Sequence, residues 1–227
     1  MTAPVPEYVS YLFVATTLGT LWFFYKASQS KLAVFILLAW IAIQGIISES
    51  GFYIVTDTVP PRFIFLVLPA LVFVLYMMLS KSGHAFIDSL DARWLTYLHV
   101  MRIPVEITLY LLFANRLVPQ IMTFAGNNFD IAAGLTASLV AYFGYKRQPL
   151  PKAILLFWNF LSLALLANIV ITAVLSAPFP FQQFAFEQPN VGVLYFPFTW
   201  LPGFVVPIVL FAHLVSIRQL LKKKFDS

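Results

Sequence analysis

Seven stretches of predominantly apolar residues follow one another along this chain, each near the roughly 20 residues that an α-helix needs to cross the hydrocarbon core of a bilayer. They run about Tyr8–Tyr25, Leu32–Tyr53, Phe63–Ser80, Trp94–Asn115, Phe129–Tyr145, Ala153–Leu175 and Gly203–Leu220. No water is available in lipid to satisfy backbone N–H and C=O groups, so such runs are read as helices that bond internally. The breaks between them carry turn chemistry: TDTVPPR, KSGH, AGNN and KRQPLPK. Composition agrees. The 227 residues are 61% hydrophobic and 10% charged, against about 45–50% and about 25% in soluble domains. The expected fold is all-α: one polytopic membrane helix bundle over residues 1–227, with seven transmembrane helices.

Lys and Arg in the short loops predict direction. Lys26 and Lys31 follow the first run, Lys81 and Arg93 the third, and Lys146, Arg147 and Lys152 the fifth. Arg218, Lys222, Lys223 and Lys224 lie at and beyond the end of the seventh, whereas the alternate loops hold only Arg62 and Arg116. The bias predicts an outside N-terminus and a cytoplasmic C-terminus. The net charge of +5 is explained by this placement, with the terminal lysines as a topology anchor, and no nucleic-acid partner is expected. The opening MTAPVPEYVS lacks the basic start of a secretory signal, so the first run is read as a retained helix.

Two further features bear on architecture. The fifth run carries Ala133, Ala137 and Ala141 at every fourth position, a small-residue stripe that lets another helix approach closely. The longest connection, residues 176–199, is rich in Phe and Pro with Glu187 as its one charge. It is expected outside, as a plain interfacial connector or as a cap over the bundle mouth. Three helices, a linker and three more would fit a SWEET-like sugar transporter, but the repeated Pro-Gln signature is absent, and no internal repeat is assigned.

The fourth run, YLHVMRIPVEITLYLLF, holds His99, Arg102 and Glu106 in an otherwise apolar helix. At 100° per residue these three and Tyr110 share one narrow arc, while Ile103, Ile107 and Leu111 lie opposite. The stripe is expected to face the bundle interior. Arg102 and Glu106, four apart, are expected to pair, which offsets part of the cost of an ionised group at mid-membrane, about 2.5–3.5 kcal/mol on insertion scales. Pro104 frees a carbonyl near residue 100. A buried ion pair that fixes helix register is one reading; a functional site is the other, since intramembrane charges commonly mark ion and proton pathways.

Depth counted from the loops groups His99, Arg102, Tyr142, Asn159, Ser162 and His213 in an inner cluster. Glu49, Ser48, Asn127, Asn128, Asp130 and Asn168 form an outer one, with Glu106 between. Taken singly, Glu49 reads as solvated, Asp130 as a helix cap or first-turn acid, and Asn168 as helix–helix glue.

Three classes of chemistry fit. A His–Arg–Glu line with neighbouring amides can relay protons or bind a small solute in a transporter, with His99, Arg102, Glu106, Tyr110, Asn159 and His213 as the binding residues. Pro69, Pro104 and Pro207 then mark broken-helix points. Alternatively, His99 and His213 could ligate a haem, or His84, His99 and His213 a zinc ion in an intramembrane enzyme. The third class is a receptor-like or structural subunit. A retinal protein is disfavoured because the seventh run has no mid-helix lysine, and the absence of cysteine excludes thiolate chemistry.

The stretches SGFY, PPRF, RIPVE and NFDIAAGLTA resemble uncharacterised bacterial seven-helix integral membrane proteins, and the likeness runs through most of the chain. The resemblance implies a bacterial inner-membrane location and carries no activity.

Overall fold

Every predicted run becomes a helix in the computed structural model, which describes residues 2–145 and 150–222. Lys146, Arg147, Lys223 and Lys224, used above for orientation, lie outside the described residues. The helices are α1 (Glu7–Ser28), α2 (Lys31–Glu49), α3 (Ile64–Leu79), α4 (Lys81–Ser89), α5 (Ala92–Leu98), α6 (Arg102–Ala114), α7 (Asp130–Gly144), α8 (Lys152–Leu175) and α9 (Val206–Lys222). A 3₁₀ turn, His99–Met101, joins α5 to α6, and a π turn, Leu201–Val205, leads into α9. Among the described residues the β-structure consists of an isolated bridge between Thr2 and Phe196.

Five runs are long and apolar enough to cross a membrane: α1, α2, the continuous Ala92–Ala114, α8 and Leu201–Lys222. That makes the chain compatible with a multi-pass membrane protein. The other two expected spans are built differently. α3 stops at Leu79 and turns by 87° into α4. Ser80 makes the corner: its backbone is extended, and its hydroxyl accepts from the Gly83 N–H to start α4. Only glycine fits at position 83, because a Cβ there would run into the Met77 carbonyl. α7 is a shorter apolar helix of 15 residues, about 22 Å long against a core of about 30 Å. α2 also ends earlier than expected, at Glu49, where Gly51 takes a left-handed conformation that side chains disfavour.

The α5–α6 run is the axis of the bundle. It packs on α1, α7 and α9, and α8 closes the gap between α7 and α9. The alanine stripe does what its spacing predicts: Ala133, Ala137 and Ala141 are fully buried where α7 meets α5. Gly134 continues that face, since a Cβ there would sit 2.9 Å from Ile103 Cγ1 and 3.3 Å from Arg102 Cβ. On α1, Thr16, Thr17 and Thr20 are buried with their hydroxyls bonded to carbonyls four residues back, so this polar face needs no partner.

The loops sort to two ends. At one, the Asp91 N–H donates to the Ala27 carbonyl, Gln219 donates to the Ile87 and Leu90 carbonyls, and Lys222 bonds Asp88 at 2.7 Å. Residues 176–199 fold over the other end as a packed cap. Gln188 donates to the Phe113 and Val118 carbonyls, Asn190 to that of Ala173, and the buried Phe198 ring meets Phe13 at 5.4 Å.

Candidate functional site

Arg102 opens α6 immediately after the 3₁₀ turn, with Pro104 two residues on. Pro104 cannot donate to the carbonyl four residues back. The chain answers by tightening at His99–Met101, where the Arg102 N–H reaches the His99 and Val100 carbonyls. The result is a step in an otherwise continuous span, and it carries His99 and Arg102 into the bundle.

Both are wholly enclosed. Arg102 is 2% exposed, Glu106 1% and His99 and His213 0%. The expected Arg102–Glu106 pair is not what forms. Arg102 binds Asp130 on α7 in a bidentate pair, through Nε and Nη2. Its Nη1 lies 3.2 Å from His213 Nε2, and its Nη2 also donates to the Ser162 carbonyl at 3.1 Å. Asp130, expected as a cap or first-turn acid, stands in the first turn of α7 and is at the same time the counter-ion of Arg102. The geometry behind this correction is the glycine contact. Gly134 lets α7 lie against Arg102 so closely that Asp130, one turn earlier, reaches the guanidinium.

The same contact overturns the expected depth of Asp130. Arg102 lies 12 residues before the end of α6, about 18 Å of helix rise. An acid that touches it sits deep inside the bundle. The connector from α6 therefore dips inward, with Met122, Thr123 and Asn128 buried, and α7 begins part-way down. This is why α7 can be short. It also joins the two clusters expected from the sequence. Asn128 donates to Glu106 Oε1 at 2.5 Å and to the Met122 carbonyl, and its own Oδ1 accepts from the Asp130 N–H.

On the other side of Arg102, His213 on α9 places its Nδ1 3.0 Å from Asn159 Oδ1, and Asn159 donates to the Leu155 carbonyl. The His213 and His99 rings stack at 3.9 Å, 18° from parallel. Trp158 stands edge-on to His99 at 5.5 Å, tilted to His213 at 5.7 Å, and anchors its indole N–H on the Thr136 hydroxyl. Polar atoms without hydrogen-bond partners among the described residues mark the two extremes of this line: both ring nitrogens of His99 and Oε2 of Glu106. A buried polar group left unpaired costs about 1–3 kcal/mol.

Other expectations fail geometrically. Tyr110 is not in the cluster; it is 40% exposed and stacks on Phe124. Tyr142 is exposed on α7; Glu49 on α2 is exposed too, in line with its reading as a solvated group. Ser48 accepts from Thr199 instead. Asn168 donates to the Asn127 carbonyl at 3.1 Å, a connector tie of the structural kind expected for it. His84 lies on α4 with Nε2 2.6 Å from the Met78 carbonyl. Among the described residues no three His, Cys, Asp or Glu side chains stand together as a metal site would require. Haem ligation by His99 and His213 fails on the stacking, since two axial imidazoles must flank the porphyrin plane, and rings 3.9 Å apart leave no room for it.

Trp158 escaped the sequence reading altogether, because an aromatic in an apolar helix carries no signal of its own. Asp130 did carry one, in GNNFD, but its partner could not be named without knowing where α7 begins. No family model, curated protein or solved structure matches the chain.

Proposed function

We propose that this is a multi-pass membrane protein that moves protons through the polar line His99–His213–Arg102–Asp130–Asn128–Glu106. The observation that carries the reading is Glu106. It is a carboxyl group with one oxygen held by Asn128 and the other unpartnered, 1% exposed, beside a helix that starts inside the bundle. Helices interrupted at mid-depth are where secondary transporters bind ions and solutes, and unpaired titratable groups there serve as proton carriers. In this reading Arg102 is the fixed centre. Its charge is matched by Asp130, and it holds His213 on one side while Asp130 orients Asn128 on the other. Glu106 and His99 exchange protons at the two extremes. The described conformation is occluded, so transport requires α7 or α9 to move. A bacterial inner membrane, the location implied by the resemblance noted above, is part of the same proposal.

The test is proton flux into proteoliposomes that enclose a pH-sensitive dye, driven by a potassium diffusion potential. The wild type is expected to exceed protein-free vesicles and Glu106→Gln to fall to their level, while His84→Ala, outside the line, keeps the wild-type rate. Wild-type flux equal to empty vesicles, or full flux in a correctly folded Glu106→Gln variant, overturns the proposal.

A further inference from the structure

A second feature lies away from this site. α2 and α3 each lean on the π turn ahead of α9 rather than packing along one another, and a crevice of about 540 Å³ opens between them. Its walls are apolar: Leu32 and Ile36 on α2, Phe73 and Met77 on α3, with Phe204 and Phe211 behind. One end is rimmed by Ser30 and Ser82, and the other is floored by Trp40 and Gly203.

From Ser30 to Trp40 is ten residues of helix, about 15 Å. That is one leaflet of a hydrocarbon core about 30 Å thick. One extended acyl chain matches that length. The rim decides the headgroup. Lys31 lies between the lining residues Ser30 and Leu32, and Lys81 adjoins Ser82; both are exposed. Neither has an ion-pair partner among the described residues. Asp88, the acid on α4, is already engaged by Lys222 and Arg218, and Asp91 is engaged by the N–H groups that open α5. The rim therefore offers two uncompensated ammonium groups next to two hydroxyls, a match for a phosphate of net negative headgroup.

We propose that the α2–α3 crevice is a binding site for one anionic phospholipid, with an acyl chain between the helices and its phosphate at Lys31 and Lys81. The test is native mass spectrometry of the full chain in mild detergent, titrated separately with dioleoyl phosphatidylglycerol and dioleoyl phosphatidylcholine. One phosphatidylglycerol is expected to bind in preference to phosphatidylcholine. Lys31→Gln with Lys81→Gln should weaken it roughly 30-fold, following the attraction of each basic residue to an anionic surface. Ala70→Phe, which fills the crevice and leaves both lysines in place, should also abolish the single-lipid peak while the unfolding temperature stays near that of the wild type. Equal binding of the two lipids, or phosphatidylglycerol retained by Ala70→Phe, overturns the proposal. So does a dimer that Ala70→Phe dissociates, because the crevice would then be an interface between copies.

Discussion

The bidentate pair between Arg102 and Asp130 gives the sharpest energetic test of the buried line. Asp130→Asn keeps the shape and removes the charge that balances a guanidinium 2% exposed. Breaking a buried ion pair by removing one partner costs about 3–5 kcal/mol, and here the strand of bonds to His213 and Ser162 cannot neutralise the charge left behind. Arg102→Met leaves the opposite orphan. That one should be cheaper, near the low end of the range, because Asp130 is the first residue of α7 and a carboxylate in the first turn gains up to about 2 kcal/mol from the helix dipole in partly buried geometry. The double variant Arg102→Met, Asp130→Asn removes both charges and should return to within about 1 kcal/mol of the wild type.

The cycle then yields a coupling of about 3 kcal/mol or more. Polar contacts between membrane helices average about 0.6 kcal/mol by the same measurement, so the two cases are well separated. Unfolding in mixed SDS and dodecyl maltoside micelles supplies the free energies. Trp158, 5.7 Å from the His213 ring, supplies a fluorescence signal from the site itself. Costs of the single variants that add up to that of the double within about 0.5 kcal/mol, the usual limit for independent positions, would refute the argument that this pair is a closed, desolvated unit.

Two further outcomes follow from local geometry. Pro207 has no N–H for the Gly203 carbonyl four residues back, and the Trp40 indole donates to it instead at 2.8 Å. Trp40→Phe should therefore cost about 1–3 kcal/mol by orphaning that carbonyl, and less in a Pro207→Ala background, where the helix supplies its own donor; the same micelle unfolding assay measures both. At the end of the bundle opposite the cap, the hydrogen bond from Lys222 holds the Asp88 carboxyl below its ordinary range. A depressed carboxylate contributes stability above the unfolded value, about 3.9, and loses it as pH falls through the folded one. Hydrogen exchange over residues 216–222 should show more protection in the wild type than in Asp88→Asn at pH 5, and the difference should vanish once the Asp88 carboxyl is protonated.

The parts of this molecule that were legible in its sequence are those set by composition and period. Apolar runs gave helices in the right places, and the alanines at 133, 137 and 141 gave the tight face of α7. The polar stripe of the fourth run gave His99, Arg102 and Glu106 as buried groups. What was not legible depended on depth. Counting residues from the loops assumes that every span starts at a surface, and that assumption places Asp130 far from Arg102. α7 breaks it, because the connector before it satisfies its own backbone inside the bundle: the Gly126 and Asn128 N–H groups bond to the Thr123 carbonyl, and Asn128 holds the Met122 carbonyl. Period-based reading also set Tyr110 on the stripe, but its ring stacks on Phe124 and stays exposed.

The same inserted connector links structure to the proposed transport. An Arg–Glu pair within one helix, as the spacing suggested, would be a local arrangement that no rigid-body motion disturbs. The pair that forms instead ties α6 to α7, and its neighbours tie α6 to α8 and α9 through Ser162 and His213. Among the described residues, Glu106 is attached to α7's connector through Asn128 alone. Any outward shift of α7 must therefore break the Asp130 and Asn128 bonds together and leave Arg102 and Glu106 exposed to the same opening. A proton or an anionic solute entering there would meet a newly freed guanidinium four residues from a carboxyl group. In the proposed transport, the charges that hold α6 to α7 are thus the charges that an open state would present, and ligand binding would be coupled to helix movement without any further element.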